Sequence, residues 1–284
     1  MIKGYMTTDA LVLFFLFFSL TVAIVIKSLQ KVWSFIPFTP TLFITSILMG
    51  MFSNNLGIVG DSITATSGID PRGILLIFLP PLIFESSFNS DWYVFRKQAG
   101  QIFILAFPCV LVGALIIMFS IKLVIGYDDS YYTYLQAFMF GSVLSCTDTV
   151  AVLALLKDAG APKKFRSLIE GESLLNDGSC MILFTICIEL SKGESLGFID
   201  IIRLFIELTG GAIVLGVIFG VIATELIKFF KNDPMLCYNT TLVGCYLVYF
   251  IAEYVHLGIH VSGIMALVSM GVYMAAFCRT KFTI

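Results

Sequence analysis

Of 284 residues, 58% are hydrophobic and 13% charged, and the mean hydropathy of +0.98 excludes a soluble domain with a charged surface. A formal net charge of -2 leaves neither a basic face for nucleic acid nor an acidic tail for basic partners. Lipid must therefore cover much of the chain.

A hydrocarbon core takes about twenty apolar residues per helix. Nine such runs, bounded by charge, Gly, Pro or Asn, follow in order at 9–29, 36–53, 72–88, 100–125, 133–156, 167–191, 198–227, 236–256 and 261–278. Because an open chain in lipid must satisfy each backbone polar group internally, these predict an all-α polytopic membrane protein with nine transmembrane helices. Lys3 precedes the first run, but no small-residue cleavage site follows and Lys27 and Lys31 close it. It reads as a retained helix. The polar stretch from Ser53 to Asp70 reads as an outer connection, and no repeat, low-complexity tract or soluble segment interrupts 1–284, which reads as a single membrane domain.

In the third run, Leu79-Pro80-Pro81 frees backbone carbonyls and kinks the helix, and Glu85 follows it. The fifth run carries Ser145-Cys146-Thr147-Asp148-Thr149 near its middle. Hydroxyls there can replace backbone hydrogen bonds, so one reading is a local unwinding that presents carbonyl oxygens to a small cation, with the Asp148 charge beside them. The other is a continuous helix whose Asp148 pairs with a neighbouring helix.

The sixth run opens Glu170-Gly171-Glu172-Ser173-Leu174-Leu175-Asn176-Asp177-Gly178-Ser179. Asp177 lies two to three turns inside from the basic loop, with Ser173 one turn before it on the same face. Burial penalises the charged form of a carboxylate and a bound cation restores it, so one group can hold a proton or a cation but poorly both. That competition is the physical minimum for antiport. Asn176 can orient Asp177 or hold an unwound fifth helix. Glu172 is protonated, faces water, or finds a basic partner beyond residue 284.

Gly210, Gly211, Gly216 and Gly220 in the seventh run predict close helix packing. Glu253 and Ser262-Gly263 are candidates to line a pathway. His256 and His260 have the spacing of metal ligands, but no third ligand is evident. The seven cysteines, lacking any CxxC pair, read as small buried hydrophobes. No histidine stands where it could activate a serine or cysteine, and no glycine loop cradles phosphate, so the chain does not read as an enzyme.

Charge sets the direction. With the amino terminus outside, Lys27, Lys31, Arg96, Lys97, Lys157, Lys163, Lys164, Arg166, Lys228, Lys231, Arg279 and Lys281 are cytosolic, twelve of the seventeen basic residues. The carboxyl terminus is then cytosolic too.

Gly171-Glu172-Ser173-Leu174-Leu175-Asn176-Asp177 resembles the Asn-Asp signature of the sodium/hydrogen exchangers of solute carrier family 9, a cation:proton antiporter family. Phe78-Leu79-Pro80-Pro81-Leu82-Ile83 is similar to that family's third-helix motif, Asp148-Thr149-Val150-Ala151-Val152-Leu153-Ala154 to its Asp-Pro-Val-Ala-Val stretch, and Ala252-Glu253, His256 and Ser262 to Leu267 to its outer eighth-to-ninth helix region. The Glu170–Gly178 segment and the Lys157–Arg166 loop look most like the sperm-type branch. The resemblance implies an inverted-repeat transporter of thirteen helices with a discontinuous fifth helix. Of that fold this chain would hold the first six-helix repeat (9–191), a linking helix (198–227) and the start of the second repeat (236–278), as an amino-terminal part or truncated isoform.

The roles implied are sodium or proton binding at Asp177, with Asn176 beside it, Asp148 and Thr147 near the crossing of unwound helices, and Glu172 paired with a late-helix arginine. Ser173, Thr149 and Glu85 would support the site. Thr149 stands where the commoner pattern has proline, which weakens the case for unwinding. The function implied is electroneutral sodium/proton antiport by alternating access. Sodium, at Asp177 and Asp148, and the proton are then substrates, and no cofactor is needed. A homodimer in the plasma membrane is expected, in the sperm flagellum if the branch holds. The alternative is a transport-inactive truncated subunit that only pairs with full-length protein.

Overall fold

The computed structural model describes residues 7–32, 38–126, 132–147, 149–192, 197–230, 233–255 and 260–278. Among these every regular element is helical, as expected where lipid offers the backbone no partner. The chain divides into two units, 1–76 and 77–284.

The first unit holds α1 (Thr8–Val32), α2 (Phe38–Met51) and α3 (Ile58–Ser67). α1 exposes Leu13, Phe17, Leu20 and Ile24, the surface a lipid-facing helix presents. The structure differs from the sequence reading at α3, which lies in the stretch expected to be an outer connection. Its hydroxyls satisfy themselves within the helix: Ser62 donates to the Val59 carbonyl, Thr64 to Gly60 and Thr66 to Ser62. Polar composition here is compatible with a helix because each hydroxyl returns to its own preceding turn. Gly60 allows the backbone of α3 to approach that of Ser53, whose carbonyl oxygen would lie 1.7 Å from any Cβ at that position.

α4 (Pro71–Asn89) continues into the second unit and carries Pro80 and Pro81 inside it. Pro81 has no N–H to return to the carbonyl four residues back, and the Tyr246 hydroxyl supplies the missing donor to the Ile77 carbonyl at 2.6 Å. The second unit continues with α5 (Trp92–Val124), α6 (Tyr134–Leu144), α7 (Val150–Asp158), α8 (Lys163–Ser191), α9 (Phe198–Phe229), α10 (Pro234–Tyr254) and α11 (Gly263–Phe277). α5 starts before the fourth apolar run, taking Arg96 and Lys97 into its first turns. Pro108 lies in a π-helical turn, Leu105–Cys109, the local widening that lets a helix absorb a missing donor. The Ala106 carbonyl in that turn accepts from the Ser179 hydroxyl at 2.5 Å.

Five helices, α1, α5, α8, α9 and α10, are long and apolar enough to cross a membrane among the described residues. The third run gives the 19-residue α4, and the remaining runs give shorter or broken helices, so five of the nine runs stand as clear spans among the described residues. The ninth run, for example, yields the 15-residue α11. That helix is buried on nearly every face, packing on α9, α10, α8 and α5. Small residues permit the approach: a Cβ on Gly216 would fall 2.2 Å from the Ala266 carbonyl oxygen, and one on Gly271 only 1.8 Å from Ser87 Oγ. Gly211 and Gly220 also meet neighbours, whereas Gly210 has none within 4 Å.

Candidate functional site

The fifth apolar run is broken. α6 begins at a capping box formed by Thr133 and Gln136 and ends at Leu144, and α7 begins at Val150. Between them, the groups that a continuous helix would use on itself turn to α8. The Thr147 carbonyl accepts from Ser173 Oγ at 3.3 Å, and Thr147 Oγ1 accepts from Asn176 Nδ2 at 3.2 Å. Thr149 serves as the N-cap of α7, its carbonyl accepting from the Leu153 N–H at 2.7 Å. A threonine in place of proline does not restore the helix, because the N-cap residue needs no intrahelical N–H bond.

α8 presents the remaining groups. Asn176, 1% exposed, uses both amide hydrogens and its carbonyl oxygen. Its second Nδ2 hydrogen goes to Glu172 Oε1 at 3.1 Å, and Oδ1 accepts from Cys180 Sγ at 3.1 Å. Of the two roles open to Asn176 in the sequence, the contacts are those of a clamp on the break. Glu172 has its hydrogen-bond partner in Asn176, one turn along the same helix. Asp177 is half-buried, and its Oδ1 accepts from Cys146 Sγ at 2.9 Å. Asp177, Asn176, Glu172, Ser173, Thr147 and Thr149 thus lie on or against one junction. Asp148 and His256 lie outside the described residues.

Glu85 is not part of this junction. It lines a separate cavity of about 570 Å³ with Pro81, Phe84, Tyr238 and Met274. Glu253 accepts from the Gly263 N–H at 3.0 Å, tying the end of α10 to the start of α11. A polar cavity of about 430 Å³ opens at the amino-terminal end of α8, lined by Asp91, Lys157, Lys163, Arg166 and Glu170. Glu170 is seven residues before Asp177, about 10 Å along the helix. The sequence reading missed the thiols. Cys109 is exposed and Cys146 only half-buried, and Cys146 and Cys180 donate into the site. Their positions carry the signal: Cys146 sits inside the polar break, and Cys180 is one turn beyond Asn176.

The family model described as "Sodium/hydrogen exchanger, transmembrane" matches residues 10–283, nearly the whole chain. The chain belongs to the transmembrane sodium/hydrogen exchanger family. Sodium/hydrogen exchanger 7 of Arabidopsis thaliana is 34% identical over 251 residues, 87% of this chain and 21% of that protein. The Na(+)/H(+) antiporter ApNhaP of Aphanothece halophytica is 29% identical over 263 residues, 91% of this chain and 46% of the antiporter. The chain therefore spans between about a fifth and about a half of the length of these relatives. The solved sodium proton antiporter MjNhaP1 from Methanocaldococcus jannaschii, at pH 8, matches with a TM-score of 0.76 over 98% of this chain and 65% of that one, at 19% identity. That likeness shows a shared fold for this member of the exchanger family, whose multi-pass helices place it in a membrane.

Proposed function

We propose that this chain is the ion-exchanging membrane part of an electroneutral sodium/proton antiporter that works by alternating access. Asp177 takes a proton or a sodium ion in turn, because a carboxylate drawn partly out of water is stabilised by either but has room for one. Asn176 holds the unwound fifth helix by its Thr147 side chain, and the freed carbonyls of the break complete the cation's oxygen shell. Asp148 supplies a second carboxylate from that break.

The observation that carries the reading is the convergence of Cys146 and Thr147 from the break on Asp177, Asn176 and Ser173 of α8. The names of the relatives, sodium/hydrogen exchangers and antiporters, support the choice of ions. An amino terminus outside fits the distribution of Lys and Arg, and a homodimer in the plasma membrane is proposed from the family resemblance. A sperm-type member is proposed on the Glu170–Gly178 segment alone with its preceding loop. The test is Asp177→Asn in full-length protein reconstituted in liposomes. Sodium-dependent proton flux is expected to vanish while expression and folding persist, and flux at the native rate refutes the assignment.

A further inference from the structure

Each of the two elements that build the site brings a cysteine to it, and proton-for-sodium exchange requires neither. Cys146 sits in the break, half-buried, beside the exposed Thr147. Cys180 lies on α8 and is 5% exposed. The two thiols flank the same junction: Ser145 Oγ, next to Cys146, is 3.9 Å from Cys180 Sγ. Each thiol also holds a member of the site: Cys146 Sγ donates to Asp177 Oδ1 at 2.9 Å and Cys180 Sγ to Asn176 Oδ1 at 3.1 Å.

We propose that Cys146 and Cys180 are a peroxide-sensitive dithiol whose closure to a disulfide disables the site at Asp177. Cys146, the more accessible sulfur, attacks one oxygen of hydrogen peroxide. The O–O bond breaks, the other oxygen leaves as water with the thiol's proton, and Cys146 becomes a sulfenic acid. The Cys180 sulfur then attacks the Cys146 sulfur, the S–O bond breaks, and a second water leaves with the Cys180 proton. Two thiols have lost two electrons and two protons to one peroxide. Both S–H donors are gone, so Asp177 Oδ1 and Asn176 Oδ1 each lose the hydrogen they held. The break is also fixed covalently to α8 at the level of the carboxylate. A dithiol reductant reverses the step.

The functional consequence rests on the exchange reading above, whereas the chemistry of the thiols does not. The experiment therefore has a covalent and a transport arm, both on full-length protein in liposomes. After peroxide treatment, unreduced digests are searched by mass spectrometry for the peptide pair joined through Cys146 and Cys180. Sodium-dependent proton flux is measured before oxidation, after it, and after dithiothreitol. The linked pair is expected to form, flux to fall in proportion to the linked fraction, and reductant to restore both. Cys146→Ser abolishes the linked pair and makes the ratio of treated to untreated flux insensitive to peroxide. Absence of the pair in wild-type protein, at a dose that converts the exposed Met235 to its sulfoxide, overturns the proposal. A linked pair with undiminished flux overturns its functional half. Lack of sodium-coupled flux before oxidation refutes the exchange reading, and the covalent arm still decides the dithiol.

Discussion

Asn176→Ala removes the amide that holds the broken fifth helix against α8. The native side chain is 1% exposed and makes three hydrogen bonds, to Thr147 Oγ1, Glu172 Oε1 and Cys180 Sγ. A bond to a carboxylate contributes about 1.5–3 kcal/mol and one to a neutral hydroxyl about 1 kcal/mol, with the thiol adding less. The net loss is about 3 kcal/mol, since the half-buried Glu172 can recover part of its solvation while Thr147 loses its clamp. At about 2–4 °C per kcal/mol for a chain of this size, the apparent melting temperature in detergent should fall by about 6–12 °C. The assay is thermal unfolding of the full-length protein, with Thr240→Ala as control. That exposed hydroxyl bonds only to its own helix, at the Leu236 carbonyl, and its loss should stay within about 0.5 kcal/mol. If Asn176→Ala melts no lower than the control, the amide does not hold the break, and the clamp is wrong. Sodium-dependent flux should fall with it, since the Thr147 side chain is then released from α8 and only the Ser173 bond to its carbonyl holds the break.

Tyr246→Phe leaves the Ile77 carbonyl, orphaned by Pro81, with no donor, and should destabilise by about 1–3 kcal/mol in the same melting assay. Unchanged melting would mean that the carbonyl finds another partner. Gly271→Ala drives a methyl to 1.8 Å from Ser87 Oγ and Gly216→Ala one to 2.2 Å from the Ala266 carbonyl oxygen, so each should cost about 1–3 kcal/mol by overpacking. Gly210→Ala meets nothing within 4 Å and should instead stabilise by up to about 1 kcal/mol through helix propensity. The same sign for Gly210 as for Gly216 would show that glycine here serves something other than close approach.

Much of the site was legible in the sequence. Carboxylates and amides inside apolar runs are costly enough to mark themselves, and helical spacing alone put Ser173 and Asp177 on one face of α8. The break in the fifth helix was legible only as one of two readings. Nothing local in Ser145 to Thr149 forces it, and the donors that satisfy its free groups come from Ser173 and Asn176 on α8, twenty-six and twenty-nine residues away in sequence. Glu172 was open to three readings in the sequence, and the structure adds a donor that none of them named, an amide hydrogen from Asn176 one turn along. Hydropathy reads the cysteines as small buried hydrophobes, which fits five of the seven, but it does not distinguish a thiol facing an apolar side chain from one facing a carboxylate.

Composition and run length determined that this chain is helical and lies in lipid: a mean hydropathy of +0.98 calls for a lipid solvent, and apolar runs of about twenty residues without alternation fit helices and not barrel strands. The motif at Gly171–Asp177 singled out Asp177 as the candidate carboxylate. Tertiary structure decided where helices end and what they serve. α3 forms in a stretch polar enough to pass for a loop, because its hydroxyls bond inward. α11 is short and buried on nearly every face, because glycines on α9 and in α11 itself let its neighbours close on it. The junction of Cys146 and Thr147 with Asn176, Asp177 and Cys180 exists only when α8 lies against the break. Such contacts join residues far apart in the chain, and no local periodicity encodes them.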